Sequence, residues 1–241
     1  KDAIKINRNA KKPRIKKFIN TDRNELLLLS RYDGDISRSL VEIIDLNDFS
    51  ILHTYKPNIS EINSKTDAYR REFNNLLINN KLSRYQIYHP FIDDDGKLLF
   101  HSFSPLVKID FCGNLLWVND TDKFTHTIEI DHEGNYWVPS TYFPSHIDKE
   151  LVGVEFGGNE YSDNGISQIS PDGKILYKKS VTEIFLENDY KSLIFGQSIK
   201  GFNDTIHLND IQPVLKDGLY WKKGDVILSM RELSTIMHFR P

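Results

Sequence analysis

One plan recurs along this chain: a glycine turn, a short apolar strand, a polar elbow, then a second apolar strand. It is read in ELLLLSRYDGDISRSLVEIID (25–45), GKLLFHSFSPLVKID (96–110), GNYWVPSTYFP with NGISQIS (134–144, 164–170) and GDVILSMRELSTIMHF (224–239). The flanking hairpins echo each other too: LVKIDFCGNLLW (106–117) resembles ISQISPDGKILY (166–177). Short strands at regular spacing, separated by Asp-Gly and Gly-Asn turns, predict an all-β chain built of hairpins. A four-stranded unit repeated roughly every 40 residues reads as a β-propeller blade. The competing β-sandwich offers no reason for self-similarity.

The blades are expected near 24–57, 85–119 and 125–180, with a fourth starting at 205. That is about three and a half blades, where closed propellers have roughly four to eight. The last unit stops after an inner hairpin, so the chain reads as the N-terminal part of a longer propeller. Turns are expected at Asp95-Gly96, Cys112-Gly113-Asn114, Glu133-Gly134-Asn135, Asp172-Gly173, Asp217-Gly218 and Gly224-Asp225. Two helical insertions interrupt the pattern. In 60–84, Ile62, Tyr69, Phe73, Leu76 and Leu77 fall near helical spacing, with Ser64 and Asp67 as a capping box. In 180–195, Ser180 and Glu183 form a second box before Ile184, Phe185 and Leu186. Gly153–Gly165 reads as a loop.

Composition narrows the function. The chain has 241 residues and 39% hydrophobic content, enough for a sizeable core. Its longest apolar run, Leu26–Leu29, is far short of the roughly 18 residues of a membrane helix. A single cysteine, Cys112, excludes an intrachain disulfide framework and a cysteine-rich zinc site. The chain begins at Lys1 with no secretory h-region; a signal or membrane anchor upstream fits this as well as an excised piece does. Residues 1–23 form a basic arm. Its first 17 residues hold eight Lys and Arg against Asp2 alone, on a body with 23 basic and 33 acidic residues. No aromatics interleave those lysines, so the arm reads as a solvated leader and not as a nucleic-acid platform.

Three histidines occupy one place in the repeat: His89 (HPFIDDDGKLLF), His126 (HTIEIDHEGNYWV) and His207 (HLNDIQPVLKDG). Each opens the strand leading to the turn before the next apolar strand. Inner strands of a propeller line a central channel, so the three are expected to converge. Asn209, two residues from His207, shares its face on a strand. Arg231 lies at the polar elbow after Asp225–Ser229. Together these residues offer donors for an oxyanion and a group that moves protons near neutral pH. A metal is not expected: His126 and His132 would lie about 20 Å apart on a strand. The Asp93-Asp94-Asp95-Gly96 run lacks the later acidic ligand of a calcium loop and reads as a turn.

HLNDIQPVLKDG…WKKGDVILSMRELSTIMHFRP (207–241) and HTIEIDHEGNYWVP (126–139) resemble blocks of the bacterial arylsulfotransferase family, related to PAPS-independent arylsulfate sulfotransferases. The resemblance implies a six-bladed propeller whose channel moves a sulfuryl group from an aryl sulfate to a phenolic acceptor. It implies no nucleotide cofactor, and a sulfated histidine intermediate. By motif, His126, His207, Asn209 and Arg231 match family channel residues that hold and polarise the sulfate; His126, His207 and Arg231 are then read as catalytic and Asn209 as substrate-binding, with His89 joining the substrate-binding residues by its place in the repeat. The nucleophilic histidine of the family falls in a later blade, so the isolated chain is expected to be inactive. Export to a periplasm is the compartment implied. The alternatives are a non-catalytic propeller that binds a ligand or protein, and a structural fragment that docks a partner through its helical insertions.

Overall fold

A computed structural model describes residues 25–66, 81–142, 145, 147, 161–195 and 203–241. The basic arm and residues 67–80 of the expected first insertion lie outside the described residues.

The described chain is mostly β, in four antiparallel sheets, none closed on itself. The first holds β1 (Leu26–Asp33), β2 (Arg38–Asp45) and β3 (Ile51–Tyr55) in that order. The second is the meander β4 (Tyr88–Ile92), β5 (Leu98–His101), β6 (Leu106–Ile109) and β7 (Leu115–Asn119). In the third, β10 (Tyr136–Tyr142), β11 (Asp163–Ile169) and β12 (Ile175–Ser180) run in sequence order. Two short strands, β8 (Lys123–Phe124) and β9 (Glu129–Ile130), share the free edge of β10. The fourth holds β13 (Leu208–Pro213), β14 (Val226–Met230) and β15 (Thr235–Phe239).

The sheets stack face to face in chain order, each sharing a core with the next. Val41 and Tyr55 of the first meet Leu98, Phe100 and Val107 of the second. Leu99 and Leu106 of the second meet Tyr136, Val138 and Ile169 of the third. Trp137 and Ile166 of the third meet Leu208, Ile211, Val226 and Leu228 of the fourth. Period-two alternation therefore sends Leu98 and Phe100 one way and Leu99 the other, so the unbroken apolar run of β5 is buried on both faces.

The repeat is visible in the turns. Asp93, Asp110, Asp131 and Ser170 each donate their backbone N–H to the carbonyl four residues on, and accept at their own carbonyl from the glycine three residues on. Those glycines, Gly96, Gly113, Gly134 and Gly173, all have φ between 74° and 88°, which favours a residue without Cβ. The Asp93–Asp95 run is such a turn, with the Asp93 carboxylate accepting from the Asp95 and Lys97 amides. The turn of one sheet docks on the outer strand of the one before it. Asn119 Nδ2 donates to the Gly173 carbonyl at 2.8 Å, and Tyr55 Oη to that of Gly96 at 2.8 Å.

The first helix, α1 (Ile59–Ser64), is capped by Asn58, whose side chain accepts from the Glu61 amide. The expected Ser64–Asp67 box involves a residue outside the described residues. Two expectations need correction. Asp163–Gly165 is strand, not loop, because it pairs with Tyr142–Ser140 across β10. Gly218 does not take the positive φ expected of a tight hairpin. At the second insertion Ser180 does cap α2 (Val181–Glu187), accepting from the Glu183 amide at 3.1 Å, and α3 (Lys191–Phe195) follows.

Candidate functional site

The first strand of each of the last three sheets is broken where a histidine sits. In β4 the pairing with β5 shifts between Tyr88 and Phe91, around His89. Between β8 and β9 the ladder lapses over 125–128, which contains His126. Opposite lies Pro139, which has no N–H to give a partner strand, although its carbonyl still accepts from the Thr125 amide at 2.9 Å. His207 immediately precedes β13, whose pairing with β14 shifts between Leu208 and Asp210.

All three histidines adopt a left-handed backbone, with φ of 41° at His89, 58° at His126 and 49° at His207. This conformation costs a non-glycine residue on the order of 1–2 kcal/mol and concentrates at functional sites. The rings converge. His89 and His126 have centroids 6.2 Å apart, and His126 and His207 5.1 Å apart in an edge-to-face arrangement. Residues separated by 37 and 81 positions thus meet in one cluster.

Each histidine has a different environment. His207 Nδ1 is 2.6 Å from Asp204 Oδ2, and the other oxygen of that carboxylate accepts from the His207 amide at 3.1 Å. Asn164 steadies the carboxylate, donating to its Oδ1 at 2.9 Å, and accepts from the Leu208 amide at 3.1 Å. Asp204 thereby fixes one tautomer and leaves Nε2 of His207 available for chemistry. His126 is pushed down to about 4 by burial, then by the positive fields of His207, His89 and Arg231, against a smaller pull from Asp204. Its ring is therefore neutral near pH 7. Burial lowers His89 as well, with Asp210 pulling the other way.

Arg231 lies in the elbow between β14 and β15. Its backbone N–H donates to the His207 carbonyl at 3.0 Å, tying the elbow to the site. Its guanidinium is 2.7 Å from the Glu232 carboxylate and is half exposed. Asn209 sits half-buried at the β13 irregularity. The expected strand alternation between His207 and Asn209 does not apply, because His207 precedes the strand in a left-handed conformation and the bulge takes up Asn209.

Sequence reasoning missed Asp204, Asn164, His101 and Lys123. Asp204 had a local signal, an acid three residues before a candidate histidine. Asn164 lay in a stretch read as loop. His101 ends the apolar run of β5 and looks like any core residue; it is buried, with Nε2 2.8 Å from the His126 carbonyl. Lys123 is partly buried, with Nζ over the Phe103 ring at 5.9 Å; burial lowers its pKa and Asp204 opposes that. Among the described residues, no group of three His, Cys, Asp or Glu side chains could hold a metal ion.

A cleft of about 200 Å³ lies elsewhere, lined by Asp131, His132, Trp137, Gln168, Tyr177 and Pro213 among others. The Asp131 carboxylate there is already satisfied by Trp137, Gln168 and turn amides.

No curated protein matches the chain. Among solved structures, a protein of unknown function from Bacteroides caccae is similar at 14% identity and a TM-score of 0.47. That similarity covers 84% of this chain and 50% of the other, so the chain spans about half the length of that protein. Residues 91–241, which hold His101, His126, Asn164, Asp204, His207, Asn209 and Arg231, match the family model described as arylsulfotransferase (ASST). With more than half of its length matched, the chain belongs to the arylsulfotransferase family.

Proposed function

We propose that the four stacked sheets are consecutive blades of a propeller, and that the histidine cluster is the sulfuryl-binding centre of an aryl sulfate sulfotransferase. The observation that carries this reading is the meeting of His89, His126 and His207 on broken first strands, all in the left-handed conformation, beside Arg231. A binding module or docking fragment gives no reason for three strained histidines at one place.

The roles follow from the environments. Sulfuryl transfer, like phosphoryl transfer, passes through a loose transition state with charge on the peripheral oxygens. Arg231 and the Asn209 amide stabilise those oxygens, and neutral His126 donates one hydrogen bond to them. His89 completes the binding wall. In its imidazolium form, with Nδ1–H held by Asp204, His207 passes its Nε2 proton to the departing phenolate, whose ordinary pKa is about 10. The sulfuryl group moves to a nucleophilic histidine supplied outside these 241 residues by the C-terminal blades, then to a phenolic acceptor, with no cofactor. Splitting the transfer in this way gives ping-pong kinetics. A periplasmic or exported location is part of this reading.

The test is release of nitrophenolate from 4-nitrophenyl sulfate by the longer parent protein in the presence of a phenol. Release with parallel double-reciprocal plots, lost in His207→Ala, is expected. Sequential kinetics would remove the covalent step, and no release would remove the sulfotransferase reading.

A further inference from the structure

We infer that His101 is a positioning residue for His126: from β5, one strand behind the cluster, its Nε2–H holds the His126 carbonyl and locks the left-handed turn that aims the His126 ring at His89 and His207. The need arises from the broken ladder. Past the Thr125 amide, which still reaches the Pro139 carbonyl, the ladder with β10 lapses until Glu129, and the His126 carbonyl, without a strand partner, must find another donor. His101 Nε2 meets it at 2.8 Å. A carbonyl only accepts, so the proton is on Nε2, and the ring is otherwise buried with 1% of its surface exposed. Nδ1 is then an unprotonated nitrogen with no partner.

That orphan is informative. A buried acceptor left unpaired costs roughly 1–3 kcal/mol, which an apolar side chain filling the same space would avoid. A histidine at 101 is therefore favourable only through the bond its other nitrogen makes. The ring is kept neutral by burial, which pushes it down to about 4 against the opposing pull of the bond to the His126 carbonyl, with the fields of His89 and His126 adding to the burial. The groups facing His126 are His89 from β4, His207 and Asp204 from the segment before β13, Arg231 from the β14–β15 elbow, and His101 itself. Only His101 grips the backbone of His126 and not merely its field. The inference concerns the geometry of His126 and holds whatever group the site transfers.

The test uses the 241-residue chain with ¹⁵N-labelled histidine and long-range ¹H–¹⁵N spectra from pH 4 to 8. In the wild type, His101 is expected as the Nε2–H tautomer without titrating above pH 5. In His101→Leu the turn relaxes, and the His126 midpoint is expected to rise by at least one unit toward the ordinary value of about 6.5. His101→Gln, whose amide can again donate to the carbonyl, is expected to restore a low midpoint. An Nδ1–H tautomer or a wild-type His101 midpoint near 6.5 overturns the inference. So does an unmoved His126 midpoint in a folded His101→Leu chain. Should neither variant fold, the wild-type tautomer and titration decide alone. No substrate enters the measurement, so its failure is separable from failure of the sulfuryl reading.

Discussion

His207 and Asp204 form the shortest side-chain contact of the histidine cluster, Nδ1 to Oδ2 at 2.6 Å, and the same carboxylate also takes the His207 amide. One acid therefore sets both the tautomer of the ring and the backbone beneath it. In the parent protein, His207→Ala is expected to lower the rate of aryl sulfate cleavage by about 10²–10⁴-fold, the usual contribution of a positioned proton donor. Asp204→Asn keeps the shape and loses the charged acceptor, so a smaller loss confined to kcat is expected. Steady-state rates with 4-nitrophenyl sulfate check both.

In the proposed reaction Arg231 acts by charge on the transferring group. Arg231→Lys is expected to recover only part of what Arg231→Ala loses, because a lysine lacks the planar fork that meets two sulfate oxygens. Losing such a donor costs on the order of 10²–10³ in kcat. Comparing kcat and KM across the three proteins separates this from a structural elbow role, which would lower thermal stability in parallel with activity.

Acid should loosen the fold through its buried histidines. His101 and His126 are both held down to about 4, against an ordinary value of about 6.5. Between those limits the unfolded chain binds more protons, so stability is full above about pH 6.5 and falls as pH drops toward 4. For His101, nearly fully buried, the loss is on the order of 2 kcal/mol. Buried Asp122 and half-buried Glu129 are shifted upward and act in the opposite sense as pH falls. Urea midpoints from pH 7.5 to 5 should therefore fall in the wild type and fall less steeply in His101→Gln.

Gly173 joins two sheets at a turn. Its φ is 87°, and a Cβ there would lie 2.7 Å from the Trp117 ring. Gly173→Ala is expected to destabilise by about 1–2 kcal/mol from the backbone alone, and to move the Trp117 ring off the turn. Trp117 Nε1 donates to the Pro171 carbonyl at 3.0 Å, so a shift in tryptophan emission reads that movement.

Tyr85 offers a change in the other direction. Its ring is 1% exposed, and its hydroxyl finds no partner among the described residues. Tyr85→Phe removes an unpaired buried polar group and is expected to be neutral or to stabilise by about 1 kcal/mol. A urea midpoint that falls in Tyr85→Phe would show that the hydroxyl is bonded.

The repeat was legible because its outer strands and turns obey local rules. The runs LLF at 98–100 and VIL at 226–228 carry the strand pattern unaided, and a positive-φ glycine marks the turns at 96, 113, 134 and 173. His89 and His126 could be aligned because they stand seven and eight residues before Gly96 and Gly134, and His207 because it too opens the first strand of its sheet. What the sequence hid was the support behind them. His101 and Asn164 act across strands, through bonds to the His126 carbonyl and the Leu208 amide that no periodicity reports. The broken first strands were hard to delimit for the same reason: β8 and β9 have two residues each, and a proline on β10 decides where they part. The Asn58 cap of α1 went unread, although Asn58 with Glu61 three residues on is a local N-cap pattern.

The central claim is that the histidine cluster receives the sulfate group. It is tested most directly by titrating 4-nitrophenyl sulfate into ¹⁵N-histidine-labelled chain and following all the imidazoles at once. The account predicts saturable shifts at His89, His126 and His207, none at His132 or His238, and loss of those shifts in Arg231→Ala. Shifts confined to His132, which lines the other cleft, or no shift at any of the three clustered rings, would contradict it.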